Sequence, residues 1–267
     1  MATAVGVPVE APAPPRRMPA WVGGVIGTIG VLVVWQIAGM TIFHSSGTVP
    51  PPTRILSQMR DDGWTFYWNN ARVTIHEAFI GYLWGNALAI ALALLFLVAP
   101  ILERPLMRLG IASYCLPVIA IGPVLQILFN GQTPKIIMAA LSVFFTTLVG
   151  MLVGLRSADP IALDVVQAYG GGSVQQLRKV RVRAALPSLF VALRIAAPAA
   201  VLGAIIGEYV GGESGLGIAM IASQSGLRVP TTWAIALVAT LIASVGYGLT
   251  ALVGRLLTPW APRGVRR

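Results

Sequence analysis

The chain has 267 residues, of which 56% are hydrophobic and only 10% charged, and its mean hydropathy is +0.79. Soluble domains carry about 25% charged residues, so a water-soluble globule is excluded and a bilayer is the solvent that removes the apolar burden. A single cysteine, Cys115, excludes an internal disulfide and a zinc site on paired cysteines. Two histidines, His44 and His76, are too few and too far apart for a metal centre.

Taken in chain order, residues 1–19 are rich in Ala and Pro without apolar periodicity and read as a disordered cytoplasmic tail. The apolar run at 19–43, behind Arg16 and Arg17, exceeds the roughly 7–15 residues of a secretory signal and reads as a retained first helix. Charges and prolines then bound six expected spans, at 20–43, 76–99, 107–129, 135–155, 187–209 and 231–254. The predicted fold is therefore an all-α polytopic membrane protein of about six transmembrane helices, with a membrane domain over 20–260 and a basic tail at 261–267. Pro117 and Pro123 in the third span and Pro198 in the fifth predict kinks. Cys115, in an apolar run, reads as a buried structural thiol. Between the first two spans, Trp64, Phe66, Tyr67 and Trp68 follow a run of prolines at 50–52. They are expected at the water–membrane interface, near a short surface helix.

The charge distribution sets the orientation. With both termini cytoplasmic, the inner segments and helix edges hold Arg16, Arg17, Arg104, Arg108, Arg156, Arg178, Lys179, Arg181, Arg183, Arg255, Arg263, Arg266 and Arg267. The outer ones hold Arg54, Arg60, Arg72, Lys135 and Arg228. The inner excess obeys the positive-inside rule. The formal charge of +10 is thus topological, facing anionic membrane lipid rather than nucleic acid.

The longest polar connection, 156–186, falls on the cytoplasmic side. It reads as a helix, a glycine break and a second helix running into the membrane. Ser157 or Asp159 can cap the first helix, with Pro160 in its opening turn. Gly170, Gly171 and Gly172 supply a turn or C-cap. Ser173 and Gln176 are spaced as a capping box for the second helix.

This loop resembles the cytoplasmic motif of importer-type ABC transporter permeases: Glu-Ala-Ala, three residues, Gly, nine residues, Ile, one residue, Leu-Pro. Asp164 stands where the family has Glu, Gly170 matches the motif glycine, Val180 fits the aliphatic position, and Ala184-Ala185-Leu186-Pro187 matches the small-small-Leu-Pro ending. The likeness extends over about 20–260 and includes Leu116-Pro117 to Pro123, the Phe129-Asn130-Gly131 turn and Gly215-Leu216-Gly217. It is nearest to the nitrate/sulfonate/taurine/bicarbonate branch, which includes pyrimidine-precursor transporters. Val165, Val166, Gly171 and Arg183 depart from the motif and leave the details of docking open.

The resemblance implies a type I importer permease in the bacterial plasma membrane, with 20–260 as its permease domain. Its expected partners are an ABC ATPase subunit, an extracytoplasmic solute-binding protein and a second permease subunit, identical or related. Asp164, Ala168, Gly170, Gly171, Arg178, Lys179, Val180 and Pro187 are the expected ATPase-coupling residues. No phosphate-cradling Gly-x-x-x-x-Gly-Lys-Ser/Thr exists in the chain, nor does any catalytic triad or carboxylate pair stand out. The chain is therefore expected not to be an enzyme and to bind no cofactor itself, ATP–Mg belonging to the partner ATPase.

Ionisable groups at membrane depth are functional candidates by default, which selects Glu77, Arg194 and Glu208; Gln126 and Asn130 add polar groups. Gln126, Asn130, Arg194 and Glu208 are the expected pathway or gate residues. Arg194 either snorkels to the cytoplasm or pairs within the bundle. Glu208 lines a gate, meets the binding protein or anchors at the interface. Two other functions fit parts of the sequence: an ion-coupled secondary transporter, and a non-transporting scaffold that recruits a cytoplasmic protein through the loop. Substrate identity is not written in the residues.

Overall fold

The computed structural model describes residues 20–45, 47–115 and 117–260, excepting the side chains of 20, 21, 109 and 112–115. The tails at 1–19 and 261–267, Leu116 and the Cys115 thiol lie outside the described residues. The chain divides into two compact units, Met1–Arg54 and Ile55–Arg267.

In the first unit, α1 (Ala20–Met40) is apolar all round, as a lipid-facing span is. Its last turns meet the segment that follows. Gln36 donates from Nε2 to Thr53 Oγ1 at 2.9 Å and accepts from Thr53 N at 3.2 Å. Gly39 abuts the Pro51 backbone so closely that a β-carbon would lie 2.8 Å from Pro51 N.

The second unit is built on α3 (Trp64–Val98), α6 (Thr133–Arg156), α9 (Val182–Gly211) and α11 (Val229–Leu257). The expected surface helix is α2 (Pro52–Asp62), and Tyr67 donates to Asp62 Oδ2 at 2.7 Å. The aromatic stretch after it is not a loop. Trp64 to Trp68 form the opening turns of the 35-residue α3, which starts well before the expected span at 76. Trp64 and Trp68 stack one turn apart on its exposed face, while Tyr67 is buried.

α3 and α6 run parallel. Gly81 packs on Ala139, Gly85 on Ala140, and Thr147 Oγ1 donates to Asn86 Oδ1 at 2.5 Å. Farther along, Ala93 and Phe96 join Leu152 and Leu155 in one core. Glycine and alanine dominate these seams because helix association in lipid depends on close backbone approach rather than on expulsion of water. α9 is antiparallel to α6, pairing Gly207 with Lys135, Gly203 with Ser142, Gly150 with Ala192 and Gly154 with Ala185. α11 returns along α9, with Gly246 near Ala197 and Gly254 near Phe190.

Two parallel helices in sequence need a return crossing between them, and the expected third span, 107–129, is where it lies. It is not one helix. α4 (Glu103–Cys115) and α5 (Val118–Leu128) are separate, joined through Pro117. Proline has no N–H to donate, and Pro117, at φ −59° and ψ 117°, is extended rather than helical, so α5 starts anew after it. α4 starts beside the C-terminal end of α6, where Arg156 pairs with Glu103, and runs back past Phe145. α5 ends against Val210 and Gly211 at the other end of α9. Five continuous helices of the described residues are long and apolar enough to span a bilayer, and α4–α5 makes the sixth passage in two pieces.

Candidate functional site

Two features stand out at opposite ends of the α6–α9 pair. The first is the connection from α6 to α9. Asp159 caps α7 (Pro160–Ala168) by accepting from Ile161 N at 2.9 Å, with Pro160 in the first turn. Ser157 instead donates to Gly154 O. The end of α7 is a Schellman motif. Gly171 N donates to Val166 O at 2.8 Å and Gly170 N to Gln167 O at 2.9 Å, with Gly170 at φ +78°. That left-handed backbone strains any residue with a β-carbon, so the motif glycine is required by the turn itself.

The expected capping box on the second helix does not form. Gly172 takes the N-cap position and no side chain caps it; Gln176 Nε2 reaches back to Leu163 O at 3.3 Å, tying the two helices together. α8 (Ser173–Gln176) passes through a π-helical turn, Leu177–Arg181, directly into α9, making one continuous 39-residue helix. Arg178, Lys179 and Val180 sit on that π turn, a form of helix that recurs at functional sites.

Asp164, Ala168, Gly170, Arg178 and Lys179 are exposed. Gly171 is buried under Val166, and Val180 and Pro187 are half-buried. The same surface carries a feature that motif reading missed. Ile161 is 71% exposed, Val165 50%, Tyr169 90% and Val174 77%, among Asp159, Asp164, Arg178 and Lys179. An apolar ridge rimmed by charges marks an interaction surface. Its i, i+4, i+8 spacing over Ile161, Val165 and Tyr169 was available in the sequence.

The second feature is a buried polar cluster where α3, α6, α9 and α10 (Leu216–Ser225) meet. Glu208 is fully buried. It accepts from Thr74 Oγ1 at 2.6 Å and from Gly217 N at 2.5 Å, and Thr74 Oγ1 in turn accepts from Leu216 N at 2.9 Å. The first N–H groups of α10 have no partners within that helix, and its N-cap, Gly215, has no side chain to offer. Glu208 and Thr74, from two other helices, do the capping, and the carboxylate also suits the positive helix terminus.

The glycines are part of the same device. A β-carbon on Gly215, whose φ is +118°, would lie 2.2 Å from Glu208 Oε1, and one on Gly217 would lie 2.6 Å from Ile205 O. Glu77, also buried, faces the Glu208 carboxyl, with the Lys135 ammonium beside both. Lys135 Nζ donates to Gly131 O at 3.0 Å. Glu208 is thus placed inside the bundle rather than at its rim. Thr74, Lys135 and the α10 amides were not anticipated, because the contacts join positions up to 142 residues apart.

The remaining expected pathway residues do not converge on one point. Gln126 packs on Gly211 with its Nε2 buried and unpartnered, and Asn130 is exposed in the turn before α6. Arg194 lies midway along α9, its guanidinium 5.7 Å from the centre of the Tyr247 ring. Among the described residues there is no cluster of His, Cys, Asp and Glu able to hold a metal ion.

Comparison with known proteins supplies the context. A probable ABC transporter permease protein of Haemophilus influenzae is 31% identical over 212 residues, covering 79% of this chain and 86% of that one. The formylaminopyrimidine transport permease protein ThiX of Halalkalibacterium halodurans is 27% identical, covering 86% and 92%. A crystal structure of an amino acid ABC transporter superposes with a TM-score of 0.60 at 17% identity, covering 75% of this chain and 97% of that one, and shows the shared fold. Residues 85–261 match the model of the binding-protein-dependent transport system inner membrane component. With the split crossing, the glycine-packed core and the capped loop between α6 and α9 in view, the chain belongs to that family and is a multi-pass inner-membrane permease component of an ABC importer.

Proposed function

We propose that the chain pairs with a second permease, identical or related, and that a separate ATPase docks on its 156–186 loop. A solute-binding protein delivers a small solute of the sulfonate, taurine, nitrate or pyrimidine-precursor kind to the opposite face. The observation that carries this reading is the loop's construction: an exposed apolar ridge fixed by caps and fused to the helix that packs through the core. Burying one such side chain fully contributes roughly 1.5–3 kcal/mol. A partner that covers Ile161, Val165, Tyr169 and Val174 therefore gains a firm grip, while Asp164, Arg178 and Lys179 set register at the rim.

In this reading the loop end is cytoplasmic. It gathers Arg104, Arg108, Arg156, Arg178, Lys179, Arg181 and Arg183, whereas the Glu208 end has Arg60, Arg72, Lys135 and Arg228. ATP-driven closure of the ATPase pair moves the two loops together. α8 and α9 are one helix, so that movement passes directly into the α6–α9 seam and switches access across the membrane. The ATPase shifts the conformational equilibrium by binding its two states differently.

The test is uptake into proteoliposomes holding the permease, its ATPase and its binding protein. Solute accumulation must require ATP on the loop side. A thiol placed by Ser173→Cys, in a Cys115→Ser background, must react with impermeant reagents from the cytoplasmic face alone. Accumulation without ATP would favour ion-coupled transport, and stable ATPase docking without any uptake would favour a scaffold.

A further inference from the structure

Capping of α10 uses one acidic residue, Glu208, and leaves a second, Glu77, beside it. Glu77 stands one turn after Thr74 on α3, is 1% exposed and lies in hydrogen-bonding contact with the Glu208 carboxyl. These are the only buried carboxyls among the described residues; the other described acids are exposed or half-buried. Both oxygens of Glu208 already accept, one from Thr74 Oγ1 and one from Gly217 N. Apart from Glu208, no donor among the described residues reaches the Glu77 oxygens.

The surroundings supply one positive charge for the two acids. Lys135 of α6 lies beside both, backed by Gly207 of α9. α5 and α10 carry no ionisable side chain, and Tyr209 is the other titratable group of α9 near Glu208. Arg72, His76 and Arg228 are exposed. Two ionised carboxylates in contact would present oxygens that only accept. One of them would also be a buried charge without a counter-ion, which a protein interior tolerates poorly. A single proton removes both difficulties. The Glu77 O–H then donates to Glu208, and the Glu208 carboxylate keeps Thr74, the Gly217 amide and the Lys135 ammonium.

We infer that Glu77 and Glu208 share one proton, bonded to Glu77, and that this acid pair is a pH-sensitive latch on α10. Release of the proton to water sets two negative charges face to face. Glu208 then withdraws from Thr74 Oγ1 and Gly217 N, and the first turn of α10 loses its cap. The latched form holds one proton more than the open form, so rising pH favours opening, by up to about tenfold per pH unit. The latch lies within one chain and does not depend on the function proposed above.

The test uses the full chain in detergent with Cys115→Ser and Ser223→Cys, which places a thiol at a fully buried position of α10. Its labelling by N-ethylmaleimide is normalised at each pH to the rate of a free thiol. From about pH 6 to about pH 9 the normalised rate is expected to rise, by as much as about tenfold per unit. Adding Glu77→Gln, whose amide N–H can donate to Glu208 at every pH, should hold the rate low throughout. The infrared spectrum of the wild-type protein at neutral pH should show the carbonyl stretch of a protonated carboxylic acid, lost at alkaline pH and absent from Glu77→Gln. A rate that does not change with pH, an equal rise with and without Glu77→Gln, or a neutral wild-type spectrum without that band overturns the inference. The wild-type spectrum needs no variant, so it decides even where Glu77→Gln does not fold.

Discussion

The two ends of the α6–α9 pair treat their polar and apolar groups in opposite ways. At the Glu208 end, the Thr74 hydroxyl, the Glu208 carboxylate and the first amides of α10 answer one another inside the protein, with glycines removing every β-carbon that would intrude. At the loop end the backbone is just as carefully capped, but the side chains are left outward: Tyr169 and Val174 are largely exposed, and so are Asp164, Arg178 and Lys179. A closed cluster fixes one structure, whereas an open, rigid surface awaits a partner. The difference separates what holds the bundle from what, in the function proposed above, a partner covers.

Changes at the closed end should therefore act on stability, and changes at the open end on association. The largest loss of stability is expected from Glu208→Ala, which strands the Gly217 amide and removes the acceptor of Thr74 Oγ1. Unsatisfied buried groups cost about 1–3 kcal/mol each, so thermal unfolding in detergent should fall markedly, and a variant as stable as wild type would refute the capping account. Gly81→Ala comes next. The new methyl group would meet Ala139 Cβ at 2.4 Å and Ile136 O at 2.7 Å, an overpacking worth about 1–3 kcal/mol by the same assay.

Glu103→Gln removes the surface partner of Arg156 at the start of α4. With Arg156 59% exposed, the cost should stay below about 1 kcal/mol; a larger loss would mean that this pair holds the split crossing in place. The smallest effect on stability, within about 0.5 kcal/mol, is expected for Ile161→Asp and Tyr169→Ala. Those two variants should nevertheless lose ATPase capture in pull-downs, and intact capture would remove the apolar ridge from the docking surface.

Much of this contrast was legible in the sequence where the signals are local. Composition gave the membrane, Asp159-Pro160 the start of α7, and Gly170 its end, because caps and turns are set by neighbours within a few residues. The split at Pro117 was half legible: a kink was expected there, and the helix breaks. What hydropathy could not reveal was that Trp64 to Trp68 belong to α3, since their helix extends past the apolar window that defines a span. Nor could it place Thr74 beside Leu216, or give Glu208 its role as a cap. A carboxylate near the end of an apolar helix looks like an interfacial anchor until the tertiary fold brings an uncapped helix terminus to it.

The most direct test of the docking claim is co-purification of the ATPase in mild detergent with wild type and with Gly170→Val, membrane insertion being checked for both. Val at a φ of +78° strains the turn that ends α7, and the space around the added β-carbon is open, so the effect is on the turn rather than on packing. Wild type should retain the ATPase, and the inserted variant should lose it or hold it uncoupled from uptake. A variant that keeps both ATPase and uptake at wild-type levels, or a wild-type protein that never brings an ATPase with it, would contradict the account.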